Sequence, residues 1–71
     1  KLYLRIANME DPRLEEVKQL LSGYRGDLPV YLFCADNRKT LRAPQSMWVY
    51  NNLLLLDKLR FILGTENVII K

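Results

Sequence analysis

Apolar residues recur along this chain with two different periods, and the switching between them limits the folds open to it. Over Leu2-Tyr3-Leu4-Arg5-Ile6 the period is two: Leu2, Leu4 and Ile6 point one way and Tyr3 and Arg5 the other, the pattern of a half-buried strand. Over Leu14, Val17, Leu20 and Leu21 the period is 3.6, one stripe of an amphipathic helix. Asp11-Pro12 suits the start of that helix, because a carboxylate can accept from free amides and proline fits the first turn. Glu15 and Glu16 favour the positive end of the helix dipole and Gly23 suits the exit, so a helix is predicted over residues 12–22.

The period then returns to two. Tyr24-Arg25-Gly26-Asp27 reads as a turn into a second strand, Leu28 to Ala35, in which Val30, Leu32 and Cys34 share one face and Tyr31, Phe33 and Ala35 the other. Being apolar on both sides, this strand is expected at the centre of a sheet. Asp36-Asn37-Arg38 is a tight turn, and Lys39 to Ala43 is the returning strand with Leu41 inward. Met47-Trp48-Val49-Tyr50 reads as a short strand or extended piece. A second helix follows, capped by Asn51 or Asn52 and stopped by Gly64, and Asn67 to Ile70 is a last strand. The order β-α-β-β-(β)-α-β predicts an α+β fold. The expected layout is a ferredoxin-like split β-α-β-β-α-β arrangement, an antiparallel or mixed sheet with two helices on one face, allowing an extra short strand at 47–50.

Composition agrees with one small folded domain. The 71 residues are 49% apolar and 27% charged, a globular balance rather than a disordered one. The absence of Met at position 1, where Lys1 stands, leads us to expect a fragment of a longer polypeptide. No apolar run approaches the roughly 20 residues of a membrane span. One cysteine, Cys34, inside an apolar run, suits a reducing compartment, and we expect a cytoplasmic protein. The net charge of +3 is mild and the charges are interspersed, which permits weak attraction to DNA without requiring it.

The second helix, NNLLLLDKLRFILG, carries more large apolar side chains than one buried face can use. With Leu59 at the centre of the core face, Leu55, Leu56, Ile62 and Leu63 fall within about 60° of it. Leu54 and Phe61 land nearly opposite, flanking Asp57, and Leu53 sits on the shoulder. Leaving such a side chain in water forgoes about 1.5–3 kcal/mol of burial. The functional reading is a partner-binding stripe of Leu53, Leu54, Asp57 and Phe61; the plain alternative is surface apolar residues with no role.

Chemistry is sparse elsewhere. There is no histidine, so no Ser-His-Asp or Cys-His set can be assembled, and no catalytic residue, cofactor or metal ligand is assigned. Glu10, Asp11, Glu15 and Glu16 cluster where helix capping accounts for them, and Cys34 reads as a small core residue. Tyr3, Arg5, Tyr31 and Phe33 project from one side of two strands that can be neighbours, and Arg38, Lys39 and Arg42 can reach phosphates. These seven are candidate nucleic-acid-binding residues, although the strand VYLFCA lacks the Arg/Lys-Gly-aromatic pattern of RNA-recognition modules. Arg25-Gly26-Asp27 reads as turn chemistry, and Trp48 as a fixture of a small core.

Several pieces resemble one family in order and spacing: LYLRI, LLSGYRGDLPV, VYLF, KTLRAP, a Trp-Val pair, and LLDKLRFILGTENVIIK. The more specific parts are Gly26-x-x-Pro29-Val30 and Leu59-x-x-x-Leu63-Gly64-x-x-x-Val68. Together they resemble the extreme C-terminal domain of the bacterial DNA polymerase III alpha subunit. Departures are Asn51-Asn52 in place of a Pro-Ser-like cap, and apolar residues at 53, 54 and 61 where polar ones are expected. The resemblance implies a non-catalytic tail of a DNA-directed DNA polymerase, a nucleotidyltransferase whose active site lies in distant regions. It implies partners in the replisome, chiefly the tau subunit of the clamp loader close to the sliding clamp, or other domains of the parent chain. The matching motifs are packing and turn motifs, so they carry over no functional residue.

Overall fold

The computed structural model describes residues 1–71. Its elements are β1 (Leu2–Ile6), α1 (Arg13–Ser22), β2 (Arg25–Leu28), β3 (Val30–Cys34), β4 (Lys39–Arg42), α2 (Leu53–Leu63) and β5 (Val68–Ile70), with 3₁₀ turns at Gln45–Met47 and Thr65–Asn67. The α+β class and the two crossover helices are as the sequence predicts. The four-stranded sheet is mixed, in the order β4-β3-β1-β5. β1 pairs directly with β3 in parallel, Leu2 opposite Val30 and Ile6 opposite Cys34, so no strand lies between them. β4 returns antiparallel on the outside of β3, and β5 pairs antiparallel with β1.

One sheet face carries the core. Leu2, Leu4 and Ile6 of β1, Val30, Leu32 and Cys34 of β3, and Val68 of β5 are all buried, together with Leu14, Val17 and Leu21 of α1 and Leu55, Leu56, Leu59 and Leu63 of α2. The two helices therefore cover this face, and each contributes the stripe that its 3.6 periodicity predicts. At about 1.5–3 kcal/mol per large apolar side chain, this burial is the main favourable term in a chain so short.

The caps behave as their chemistry requires. The Asn52 side-chain oxygen accepts from the Leu54 and Leu55 amides at 2.9 and 3.2 Å. Ahead of α1, Asp11 is buried; its Oδ1 accepts from the Arg13 amide and its Oδ2 from the Ala7 amide, each at 3.0 Å. The Arg13 guanidinium closes on the same carboxylate at 2.8 Å. These contacts, led by the Arg13 side chain, hold the Asp11 carboxyl well below the usual carboxylate range, and Asp11 in turn raises Arg13. Gly64, at φ 98°, ends α2 in a region that L side chains rarely adopt.

Three local expectations are corrected. Residues 47–50 form no strand: Gln45–Met47 is a 3₁₀ turn, and Val49 alone bridges to Arg25 and Leu28. Arg25-Gly26-Asp27 is not a turn but most of β2, which lies outside the sheet and is held by the Gly26 amide donating to the Trp48 carbonyl at 2.9 Å. Leu41 stands opposite the buried Leu32 but remains 40% exposed, because β4 is an edge strand that the helices do not cover.

Candidate functional site

Two surfaces remain uncovered. The first is the outward side of α2, where Phe61 is 91% exposed, Leu53 76% and Leu54 56%. Positions 53, 57 and 61 follow one another at i, i+4 and i+8, and 54 stands seven residues from 61, so these side chains line one arc of the helix. Asp57 is exposed within the arc and lies 3.8 Å from Arg60, a separation and an exposure at which the pair contributes little. A shallow hollow beside the arc is lined by Leu20 of α1 and by Lys58, Phe61 and Ile62 of α2. Phe61 therefore stands at the edge of an apolar depression between the two helices.

The second surface is the sheet face turned away from the helices. The parallel register places Tyr3 beside Tyr31 and Arg5 beside Phe33, and the hairpin adds Arg42 beside Tyr31 and Thr40 beside Phe33. Tyr3 and Tyr31 stack, with ring centroids 5.1 Å apart and planes 16° from parallel. Four cations lie over the rings here and at the adjoining Trp48: Lys71 over Tyr3 at 5.4 Å, Lys1 over Tyr31 at 5.7 Å, Arg5 over Phe33 at 5.9 Å and Arg42 over Trp48 at 4.9 Å. Trp48 is fixed from its other end, its Nε1 donating to the Ala43 carbonyl at 3.0 Å.

Five of the seven nucleic-acid candidates thus come together: Tyr3, Arg5, Tyr31, Phe33 and Arg42. Lys39 does not join them, because it stands opposite Cys34 and alternation sends its side chain to the helix side. Arg38 lies in the β3–β4 turn, at φ 58°. Lys1, Thr40, Ile69 and Lys71 belong to the same face and were not singled out from the sequence. The alternation of Ile69 and Lys71 was readable, but their position depends on β5 pairing with β1, which places Ile69 opposite Tyr3. Cys34 is buried, in keeping with its core reading. No helix is long and apolar enough to cross a membrane.

Over 73 aligned residues the chain is 32% identical to the DNA polymerase III subunit alpha of Halalkalibacterium halodurans, a match covering 99% of this chain and 6% of that protein. This chain is similar to the DNA polymerase III alpha subunit. The alpha subunit of Bacillus subtilis is 26% identical over 72 residues, again 99% of this chain and 6% of the relative. The matched stretch lies in the short C-terminal portion of the alpha subunits, as the sequence motifs led us to expect. The chain therefore spans only a small part of the alpha subunits it matches. No family model matches the chain, and no solved structure does.

Proposed function

We infer that the chain is one small domain of a longer polypeptide, a non-catalytic C-terminal domain of a replicative DNA polymerase alpha subunit in the bacterial cytoplasm. Its work is to link the polymerase to other replisome proteins during DNA replication. The DNA-directed DNA polymerase activity, a nucleotidyl transfer, belongs on this reading to parts of the alpha subunit outside these 71 residues. The observation that carries the reading is the outward face of α2, where Phe61, Leu53 and Leu54 stay in water although the opposite face of the same helix fills the core. A small domain gains nothing from that exposure unless another surface covers it. The similarity to alpha subunits supports a replisome protein as the cover, and the tau subunit of the clamp loader, near the sliding clamp, is the partner proposed.

The test is a pull-down of the tau subunit by the chain, with wild type compared against Leu54→Asp/Phe61→Asp. Loss of capture by a double variant of unchanged circular dichroism is the expected result. Equal capture would take the α2 face out of the mechanism and leave the docking to another surface, such as one facing a neighbouring domain of the parent chain.

A further inference from the structure

We propose that the open sheet face is a second binding site, a platform for single-stranded nucleic acid that stacks bases on Tyr3, Tyr31 and Phe33 and neutralises phosphates with Arg5, Arg42, Lys1 and Lys71. It is separate from the α2 surface and does not depend on it.

Three observations select this occupant. The first is the rings. Three aromatic side chains stand on two adjoining central strands, and none is buried by the fold. Every nucleobase has a π-face, so such rings serve any base. The second is the sign of the charge. Four cations border these rings and Trp48, while of the eight acidic residues in the chain only Glu66 lines the cleft they frame. An anionic polymer suits the four cations, and one whose units carry flat π-faces suits the rings between them. Lys1 and Lys71 have flexible four-carbon stems, so they can leave a ring face for a phosphate when a base takes their place.

The third observation is spacing. Phe33 stands two residues beyond Tyr31 on β3, a separation of about 6.6 Å along a strand. Bases in a duplex rise about 3.4 Å per step. A chain seated on both rings must be pulled out to roughly twice that, as a single strand permits and a duplex does not. The cleft between Tyr3, Arg5, Phe33, Thr40, Ile69 and Lys71 has a volume of about 360 Å³, within the range of about 300–1,000 Å³ in which small ligands and cofactors are held.

The experiment is fluorescence anisotropy of a labelled oligothymidylate of about 12 nucleotides, within the site sizes of comparable platforms. Wild type should bind at low salt, with log K falling against log salt at a slope of about −2 to −3, as three or four phosphate contacts on a single strand require. Tyr3→Leu/Phe33→Leu, which keeps apolar bulk but removes the rings, should weaken binding about tenfold or more with the slope unchanged. Arg5→Gln/Arg42→Gln should flatten the slope. An abasic strand of equal length should bind wild type about tenfold more weakly than oligothymidylate, a comparison that needs no variant. An oligouridylate should bind within about tenfold of oligothymidylate, since rings and phosphates do not read the sugar. No binding at low salt, equal binding of the abasic strand, or full affinity in a folded leucine variant would each overturn the proposal. So would loss of the tau subunit, rather than of the oligonucleotide, on substituting the rings. Leu54→Asp/Phe61→Asp should leave oligonucleotide binding intact, which separates this site from the docking face.

Discussion

Gly26 lies directly against the backbone of Tyr50: a Cβ placed on it would come within 2.5 Å of the Tyr50 amide nitrogen and 2.7 Å of the Val49 carbonyl carbon. The Gly26 amide donates to the Trp48 carbonyl at 2.9 Å, and the Tyr50 amide donates to the Tyr24 carbonyl at 2.9 Å, so the two backbones are bonded on both sides of this contact. The glycine is needed here for closeness and not for an unusual dihedral. Its role is to seat β2 against the segment that leads into α2.

Gly26→Ala is therefore expected to destabilise the fold by about 1–3 kcal/mol, since the nearest atoms belong to the backbone of Val49 and Tyr50 and the backbone itself must shift. Gly23→Ala is the control. Its nearest neighbour would be the Leu20 carbonyl at 3.6 Å, an ordinary contact, and its φ of −84° suits alanine. That variant should be neutral or stabilised by about 0.4–1 kcal/mol. Urea unfolding of both checks the pair, and equal midpoints would show that β2 gives way freely.

Asp11 makes stability depend on acid. Its folded carboxyl is held below the ordinary value of 3.8, chiefly by Arg13 and then by the Ala7 amide. A depressed carboxyl contributes stability that is complete above the unfolded value and is lost as pH falls below it. Asp11→Asn loses the charge and also one of the two acceptor oxygens, so it can accept from the Ala7 amide or the Arg13 amide but not from both. It should cost about 1–3 kcal/mol at pH 7, because one amide N–H is left without an acceptor and the pairing with Arg13 loses its charge. It should also flatten the fall in stability below about pH 4. Thermal unfolding from pH 7 downward reads both effects, and parallel acid limbs for the two proteins would count against the role given to Asp11.

The two faces of α2 should separate in stability. Leu59 is fully buried and Phe61 is exposed, two positions apart on one helix. Leu59→Ala should cost about 2–5 kcal/mol, enough to unfold much of so small a domain. Phe61→Asp should change stability by no more than about 0.5 kcal/mol. Chemical denaturation distinguishes them, and a large loss from Phe61→Asp would mean that the ring packs within its own chain.

Much of the site was legible because periodicity survives folding. The α2 arc follows from the 100° turn per residue alone, and Leu53, Leu54 and Phe61 are exposed as that rotation requires. The strand alternation likewise put Tyr3 and Arg5 on one side of β1 and Tyr31 and Phe33 on one side of β3. Lys39 shares its parity with Leu41, so alternation alone already sets it on the helix side of β4, away from the rings. Met47-Trp48-Val49-Tyr50 reads as a short strand or an extended piece, and only Val49 finds a partner there, because pairing with β2 is a contact with a distant segment.

Local order was written in the residues themselves. The caps at Asp11 and Asn52, the helix stop at Gly64, and the buried and exposed sides of each helix and central strand depend on interactions within a few positions of the chain. Pairing was not. That β1 lies beside β3 with no strand between them, that Ile69 and Lys71 reach Tyr3, and that Gly26 touches Tyr50 are contacts between distant segments. Each is settled by which arrangement of elements buries the common core, a choice that no single segment carries.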